Sequence, residues 1–495
     1  MKDKPQRPTK AHNSAHDLSP IHFGYLIQAK GSQARRIASV AIVTLGILMA
    51  GLITGVAVPS SFAVESDIVI LAGGDLRGEI EPCGCSNEGQ MGGLPRRMTY
   101  LDQRTSENPD HTLLVDLGNN FPPPSPQGKL KIQMIQNLLQ VFPPVAILPG
   151  PNELALGPGV LSPGLPWVLS NNINIGNSTT NLSSTDLSGR VSFHRHILTK
   201  KGKQTIAVFG YLSPTEIYQK SQGHFQLSGP TSALLANWRD QLKEASNPPA
   251  ILLFRGPTKE LETFTQAKLF QAIFVGNPNA DELNQVVERK VSGQKLPQVP
   301  TKGQGFVRAL LPTSPDSSPP MGKVDWLTDK YGDHLKSKSA FKKYNDEVKA
   351  LFFARMDTID RVKKESPYVG AETCAACHQK ASQSWRPSRH AGAIKTLERV
   401  GKQFDPECLA CHVAGLERGG YISADITGHL AGVQCENCHG PGRAHAAKAD
   451  QKPAPLQPPG IKVGNKPAEA TCRTCHMGSH SPKFSYKVYW EKVKH

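Results

Sequence analysis

The first long apolar stretch is uncharged from Ile37 to Val64, and its most hydrophobic part, Ile37 to Val58, follows a segment of opposite character. Residues 1–36 are polar and carry Lys2, Lys4, Arg7, Lys10, Lys30, Arg35 and Arg36 against Asp3 and Asp17. At 1.5 Å per helical residue, about 22 residues reach roughly 33 Å, enough to cross a bilayer core of about 30 Å. Positive charge ahead of such a run predicts a cytoplasmic basic segment (1–36), a transmembrane anchor or signal sequence (37–64), and an exported, periplasmic remainder. Ser61-Phe62-Ala63 also fits a small-x-small cleavage site. The run exceeds the usual ~7–15 residues of a leader's apolar core, which favours an uncleaved anchor on the periplasmic side of the inner membrane. Arg35-Arg36 alone is too weak for a twin-arginine signal.

Beyond Asp67 the pattern changes to short apolar runs punctuated by turn residues. Asp67–Ala72, Thr112–Val115, Val145–Leu148, Thr205–Phe209, Ala250–Phe254 and Ala272–Val275 read as buried strands, rich in β-branched residues and bounded by Gly, Pro, Asn or Asp. Helical stretches such as Lys129–Val141 and Ser232–Ala245 lie between them. This alternation predicts a layered α/β domain over 66–312. Residues 313–320, TSPDSSPP, are a linker by composition. A charged amphipathic helix is predicted over 338–360, with Phe341, Tyr344, Val348, Leu351, Phe352 and Met356 as its buried stripe, giving a linker and helix over 313–366. After Pro367 strand-like runs nearly vanish, and Gly, Pro, Cys and His replace the aliphatic residues an ordinary core requires.

The chain has 495 residues, 38% of them hydrophobic, with 44 Gly and 40 Pro, which excludes an all-helical bundle and a disordered chain. Its formal charge of +16 alone would permit nucleic acid, anionic membrane or acidic partners. The ten cysteines decide more.

Eight of them form four copies of C-x-x-C-H: Cys374/Cys377 with His378, Cys408/Cys411 with His412, Cys435/Cys438 with His439, and Cys472/Cys475 with His476. In a c-type haem site the two thiols form thioethers to the porphyrin vinyls and the adjacent His is the proximal iron ligand. C-x-x-C pairs also bind zinc, but a zinc array does not require His directly after every second Cys. Four covalently bound c-type haems therefore fill the interior that aliphatic side chains do not. Haem propionates also account for part of the basic excess over 361–495, where 20 Lys and Arg face 11 Asp and Glu, and no nucleic acid partner is expected.

The segments YVGAETCAACH, SRHAGA, CLACHVAGL, VQCENCHGPGRAH and FSYKVYWEKVKH resemble the tetrahaem cytochrome family typified by the electron acceptor of hydroxylamine oxidoreductase, over about Tyr368 to His495. The resemblance implies a mostly helical, loop-rich multihaem cytochrome domain (367–495), closely packed haems with mostly two axial histidines, and periplasmic electron transfer. Five histidines outside the motifs are candidate distal ligands. His390 in SRHAGA and His445 in GPGRAH match the family's ligand-bearing segments. His429 and His495 are the next candidates, and His480 the last, because it follows His476 by only four residues. The family includes a five-coordinate haem, so one open iron is compatible with the resemblance.

Residues 66–312 resemble periplasmic 5′-nucleotidases and calcineurin-like metallophosphoesterases in the order of their motifs, with the metal ligands replaced. Asp75-Leu76-Arg77 has Arg for His, Gly118-Asn119 has Asn for the bridging Asp, and Pro151-Asn152-Glu153 lacks the Asn-His pair. Arg255 stands near the expected lone His, and Gly276-Asn277-Pro278-Asn279 carries two Asn where His is expected. Asp75, Asp116 and Glu153 are too few to hold a divalent pair, so the domain is expected to be degenerate and non-hydrolytic. The remaining cysteines, Cys83 and Cys85 in Glu81-Pro82-Cys83-Gly84-Cys85, are a candidate redox pair, with a structural disulfide or a metal contact as alternatives. A similar segment occurs in nucleotidase-like proteins found beside or fused to multihaem cytochromes.

Taken together, the motifs predict a membrane-anchored electron-transfer protein working with redox partner proteins or a membrane electron carrier. The alternative is a multihaem oxidoreductase acting on a small substrate at an open haem iron or the Cys83/Cys85 pair.

Overall fold

The computed structural model describes residues 68–82, 90–173, 193–278, 286–312, 322–359, 366–448, 468–476, 480–481 and 483–495. The predicted membrane segment, Cys83, Cys85 and Asn279 lie outside the described residues. Among the described residues no helix is long and apolar enough to cross a membrane.

Each predicted apolar run forms a strand: β1 (Val69–Gly73), β2 (Thr112–Asp116), β3 (Ala146–Ile147), then, after β4 (Ile197–Lys201), β5 (Gln204–Leu212), β6 (Ala250–Arg255) and β7 (Ala272–Val275). A hairpin of β8 (Glu288–Val291) and β9 (Gln294–Pro297) follows, then β10 (Gly305–Leu310) and β11 (Lys323–Trp326). One sheet has the order β11-β10-β1-β2-β3 and a second β4-β5-β6-β7. Strands β1, β2 and β3 are parallel, as are β5, β6 and β7, while β10, β11 and β4 join antiparallel.

The period-two alternation of side chains along a strand explains the layers. Ile70, Ala72, Leu113, Val115 and Val307 from the first sheet share one core with Ile206, Val208, Ile251, Leu253 and Phe274 from the second, so the sheets pack face to face. The alternate residues point outward to helices: Leu71, Leu114 and Phe306 meet Tyr100 and Leu101 of α1 (Leu94–Glu107). Helix α2 (Pro126–Val141) opens at Ser125, whose hydroxyl accepts from Gly128 N at 2.8 Å, with Pro126 at its first position. The short α3 (Pro151–Ala155) follows β3. On the second sheet Phe209, Tyr211, Leu252 and Phe254 meet Trp238 of α4 (Ser232–Glu244) and Phe264 of α5 (Thr258–Gln266).

The domain does not end at residue 312. Strand β11 lies beyond the TSPDSSPP segment and pairs with β10, Phe306 opposite Asp325, so the sheet takes a strand from beyond that segment. Its Pro- and Ser-rich composition suggested a linker but said nothing of what the chain does after it. Helix α6 (Leu335–Ile359) begins three residues before the predicted start. Its buried stripe is Phe341, Tyr344, Val348 and Phe352, whereas Leu351 is exposed and the side chain of Met356 lies outside the described residues. The stripe has two partners: Phe341, Tyr344 and Val348 pack on Ile132, Ile135 and Leu138 of α2, and Phe352 enters a second core with Tyr368, Leu397, Leu409 and Leu430.

That second core belongs to the C-terminal region, built from short helices: α7 (Ala371–Ala375), α8 (Gln379–Trp385), α9 (Ala393–Arg399), α10 (Pro406–His412), α11 (Ala424–Thr427), α12 (Cys435–His439), α13 (Arg443–Ala446), α14 (Glu469–Arg473) and α15 (Tyr486–Val493). Polar contacts fasten it to the α/β layers. Gln127 Nε2 donates to Tyr344 Oη at 3.0 Å and to Asp405 Oδ1 at 2.8 Å, and Lys131 pairs with Glu407 at 2.6 Å. Lys402 pairs with Glu81 at 2.7 Å, and Arg355 of α6 with Glu417 at 2.9 Å.

Candidate functional site

Each C-x-x-C-H motif sits on or against one helical turn. Three residues of helix bring the two thiols to one side, and the fourth places the histidine beside them. His378 N donates to Cys374 O and His476 N to Cys472 O, both at 2.9 Å. Helix α10 is capped by Asp405, which accepts from Glu407 N at 3.0 Å, and α12 by the reciprocal pair Gln434 and Asn437. The first motif lies beside the third and the second beside the fourth. A hydrogen bond to Cys435 holds the Cys374 thiol above its ordinary pKa and Cys435 below, and one to Cys411 draws Cys475 down to about 6.

Cys377 is exposed, whereas the other seven motif cysteines are half-buried. The cause is local: α7 ends at Ala375, and Cys377 stands in the turn after it, followed by exposed His378 and Gln379. The backbone of the first motif closes like the others, with Cys377 N donating to Cys374 O at 3.3 Å.

Three motif histidines face a second imidazole. His378 stands opposite His445 with ring centroids 6.1 Å apart, His476 opposite His390 at 6.1 Å, and His439 opposite His495 at 6.0 Å. Interplanar angles are 25°, 40° and 59° respectively. A metal–nitrogen bond of about 2 Å on each side, plus about 1 Å from nitrogen to ring centre, puts two axial imidazoles roughly 6 Å apart. The observed separations fit one iron between each pair. Burial lowers the pKa of His390, His439 and His476, favouring the neutral, ligating form.

Ring tautomers agree with that chemistry. His412 Nδ1 faces Ala393 O at 2.7 Å and His495 Nδ1 faces Val493 O at 3.0 Å; a carbonyl only accepts, so Nδ1 carries the proton and Nε2 the lone pair. His445 Nδ1 is buried without a hydrogen-bond partner, an expensive state for a polar atom unless something else binds it. His429 is exposed, its ring edge near Gly370, and among the described residues no imidazole faces it. His480 is exposed.

Residues 373–440 match the family model of cytochrome c554 and c-prime. The chain is also 30% identical over 138 residues to cytochrome c-554 of Nitrosomonas europaea, a match covering 23% of this chain and 59% of that protein. The chain thus spans somewhat more than half the length of the curated relative. Sequence reasoning missed several supports of this cytochrome c554-like region. Phe484 and Tyr489 pack on His476 at 4.9 and 5.3 Å between ring centroids, Trp385 Nε1 donates to Val433 O at 2.8 Å, and Glu436 is buried between motifs. The aromatic spacing in FSYKVYWEKVKH was the only visible signal; nothing marked Glu436.

In the α/β layers the residues aligned with metal ligands converge on a closed ion-pair network. Asp75 accepts from Arg255 Nη2 at 3.1 Å, Arg77 Nε at 3.0 Å and Asn119 Nδ2 at 2.9 Å. Asp116 accepts from Arg97 Nη2 at 2.9 Å and Asn120 Nδ2 at 2.8 Å. Glu153 receives the backbone N–H of Asn119, Asn120, Phe121 and Gly150, and burial pushes its carboxyl upward. Both Arg255 and Arg77 also donate to Asn277 O at 3.1 Å. Asp75, Arg77 and Asn119 hold left-handed φ values of 55°, 52° and 58°, strained for side-chain-bearing residues. Among the described residues no three His, Cys, Asp or Glu side chains converge as a metal site.

Solved structures similar to the chain include the SoxB sulfate thiohydrolase of Thermus thermophilus (TM-score 0.42, 11% identity, 57% of this chain and 60% of that one). Others are a 5′-nucleotidase precursor, also from Thermus thermophilus (0.44, 16%, 57% and 59%), and the calcineurin-like phosphoesterase YfkN of Bacillus subtilis (0.41, 13%, 57% and 97%).

Proposed function

We propose that the chain is an exported, membrane-anchored tetrahaem c-type cytochrome that transfers electrons, carrying a non-hydrolytic α/β domain. The observation that supports this most is the set of three histidine pairs at 6.0–6.1 Å, each including the histidine of a C-x-x-C-H motif. When bound, c-type haems supply one-electron chemistry. The chain's own residues do the rest. Cys374/Cys377, Cys408/Cys411, Cys435/Cys438 and Cys472/Cys475 would anchor the groups; His378, His412, His439 and His476 would each ligate one iron, and His445, His390 and His495 would be the second ligands of three. At those three sites two imidazoles would leave no place for a substrate, which suits electron transfer to redox proteins or a membrane carrier. Carbonate-washed membranes test anchor and cofactors together: the chain stays in the pellet, its mass is increased by four haems, and at most one is high-spin. Release with an N-terminus at Val64 defeats the anchor, and two or more high-spin haems defeat the carrier reading.

The same network that joins Asp75 to Arg255 and Arg77 supports a non-hydrolytic domain. A divalent pair needs anionic or imidazole ligands to offset its dehydration, and here guanidinium groups already use those carboxylates. Nucleotide hydrolysis by the holoprotein is expected to be the same with and without added manganese or zinc. Two tightly held metal ions per chain would sink the idea. A second reading, a small-substrate oxidoreductase using Cys83/Cys85, draws support from the Glu81–Lys402 pair, which ties the residue two before Cys83 to the segment leading into the second motif.

A further inference from the structure

Glu436 occupies the first variable position of the third motif, where C-x-x-C-H makes no demand. Its side chain is nonetheless buried, and its two oxygens collect backbone N–H groups from elsewhere in the region. Oε1 accepts from Val369 N at 3.0 Å and Gly442 N at 2.7 Å; Oε2 accepts from Gly370 N at 2.8 Å and Val369 N at 3.1 Å. Among the described residues no cation pairs with it. Gln434, two residues earlier, accepts from Ala371 N at 2.9 Å.

These donors stand at two starting points. Gly370 precedes α7, which carries Cys374 and leads to His378, and Gly442 precedes α13, which carries His445. Gly370 has φ +82°, and a Cβ there would stand 2.9 Å from His429 O, so the chain can present this N–H only as glycine. Among the described residues His445 has no hydrogen bond at its buried Nδ1, and its backbone belongs to the α13 turn that starts after Gly442.

We propose that Glu436 is the positioning residue for the His378–His445 pair, one carboxylate setting both histidine-bearing segments from the third attachment helix. The inference rests on the haem reading above. Only a carboxylate suits the role: three N–H donors need acceptors on both oxygens, and an amide would turn its own N–H₂ toward one of them.

The test uses the full-length holoprotein and electron paramagnetic resonance of the oxidised form. H445A identifies the low-spin signal of this pair, and H390A that of the His390–His476 pair as an internal control. E436Q is expected to keep all four haems by mass, lose or shift the H445A-sensitive signal, and leave the H390A-sensitive signal in place, while E436D restores part of the loss. An unchanged H445A-sensitive signal in E436Q overturns the proposal. So does simultaneous loss of every low-spin signal, failure of the variant to accumulate, or an E436D no better than E436Q, because Glu436 would then act on folding generally. A wild-type chain without haem would instead defeat the reading on which the proposal rests.

Discussion

Arg255→Met is expected to destabilise the α/β domain by about 3 kcal/mol, the low end of what removing one partner of a buried ion pair costs. Arg255 and Asp75 have side-chain exposures of 2% and 0%, so water cannot replace the lost contact. The same guanidinium satisfies Leu117 O at 3.2 Å and Asn277 O at 3.1 Å, and these carbonyls lose a donor as well. The low end applies because Arg77 and Asn119 still hold Asp75. Arg255→Lys keeps the charge but not the planar fork that reaches three acceptors, and is expected to fall between wild type and Arg255→Met. Denaturant unfolding followed by far-ultraviolet circular dichroism measures both. A loss below about 1 kcal/mol for Arg255→Met would mean that the network is not what holds these strand ends together.

His390→Ala, His445→Ala and His495→Ala are each expected to convert one low-spin ferric haem to high-spin, while His429→Ala leaves every signal unchanged. Each of the first three faces a motif histidine at 6.0–6.1 Å, and removing it empties one axial position. The three pairs differ in interplanar angle, 25°, 40° and 59°, so their iron orbitals split differently and the three signals can be separated. His429 stands on the exposed side of Gly370 instead. Electron paramagnetic resonance of the oxidised variants is the check. An unaltered spectrum for His445→Ala, or two haems changed by one substitution, would break the one-pair, one-iron assignment.

The central strands were legible because they are buried on both faces, which leaves continuous runs such as Ile251-Leu252-Leu253-Phe254. Edge strands were not. Strand β4 alternates into Lys200 and Lys201, and β8 and β9 carry Arg289, Lys290 and Lys295, as strands solvated on one side do. The haem motifs were legible because their chemistry is local: two thiols and an imidazole within one turn. How deep each motif sits was not, and Cys377 lies at the surface although its spacing is the same as that of the half-buried Cys411. Which distal histidine faces which motif was equally hidden, since His390 precedes its partner His476 by 86 positions and only the tertiary fold brings them together. The Arg and Asn replacements could be aligned from sequence, yet that Arg255 would reach into the carboxylate cluster and neutralise it depends on burial. Glu436 was hidden for a simpler reason: the motif constrains nothing at its position.

Helix α6 spends one apolar stripe on two different cores, Phe341 to Val348 on α2 and Phe352 against Tyr368 and Leu409. The chain is therefore not modular where its composition suggests a seam. Cutting after residue 312 would remove β11 from its sheet and uncover the face of α2 that α6 protects. Cutting after α6 would take from the C-terminal region an aromatic ring in a core of few aliphatic residues, where one buried phenylalanine contributes about 2 kcal/mol. For recombination or fragment expression the smallest natural unit therefore begins with β1 and ends past the last haem motif.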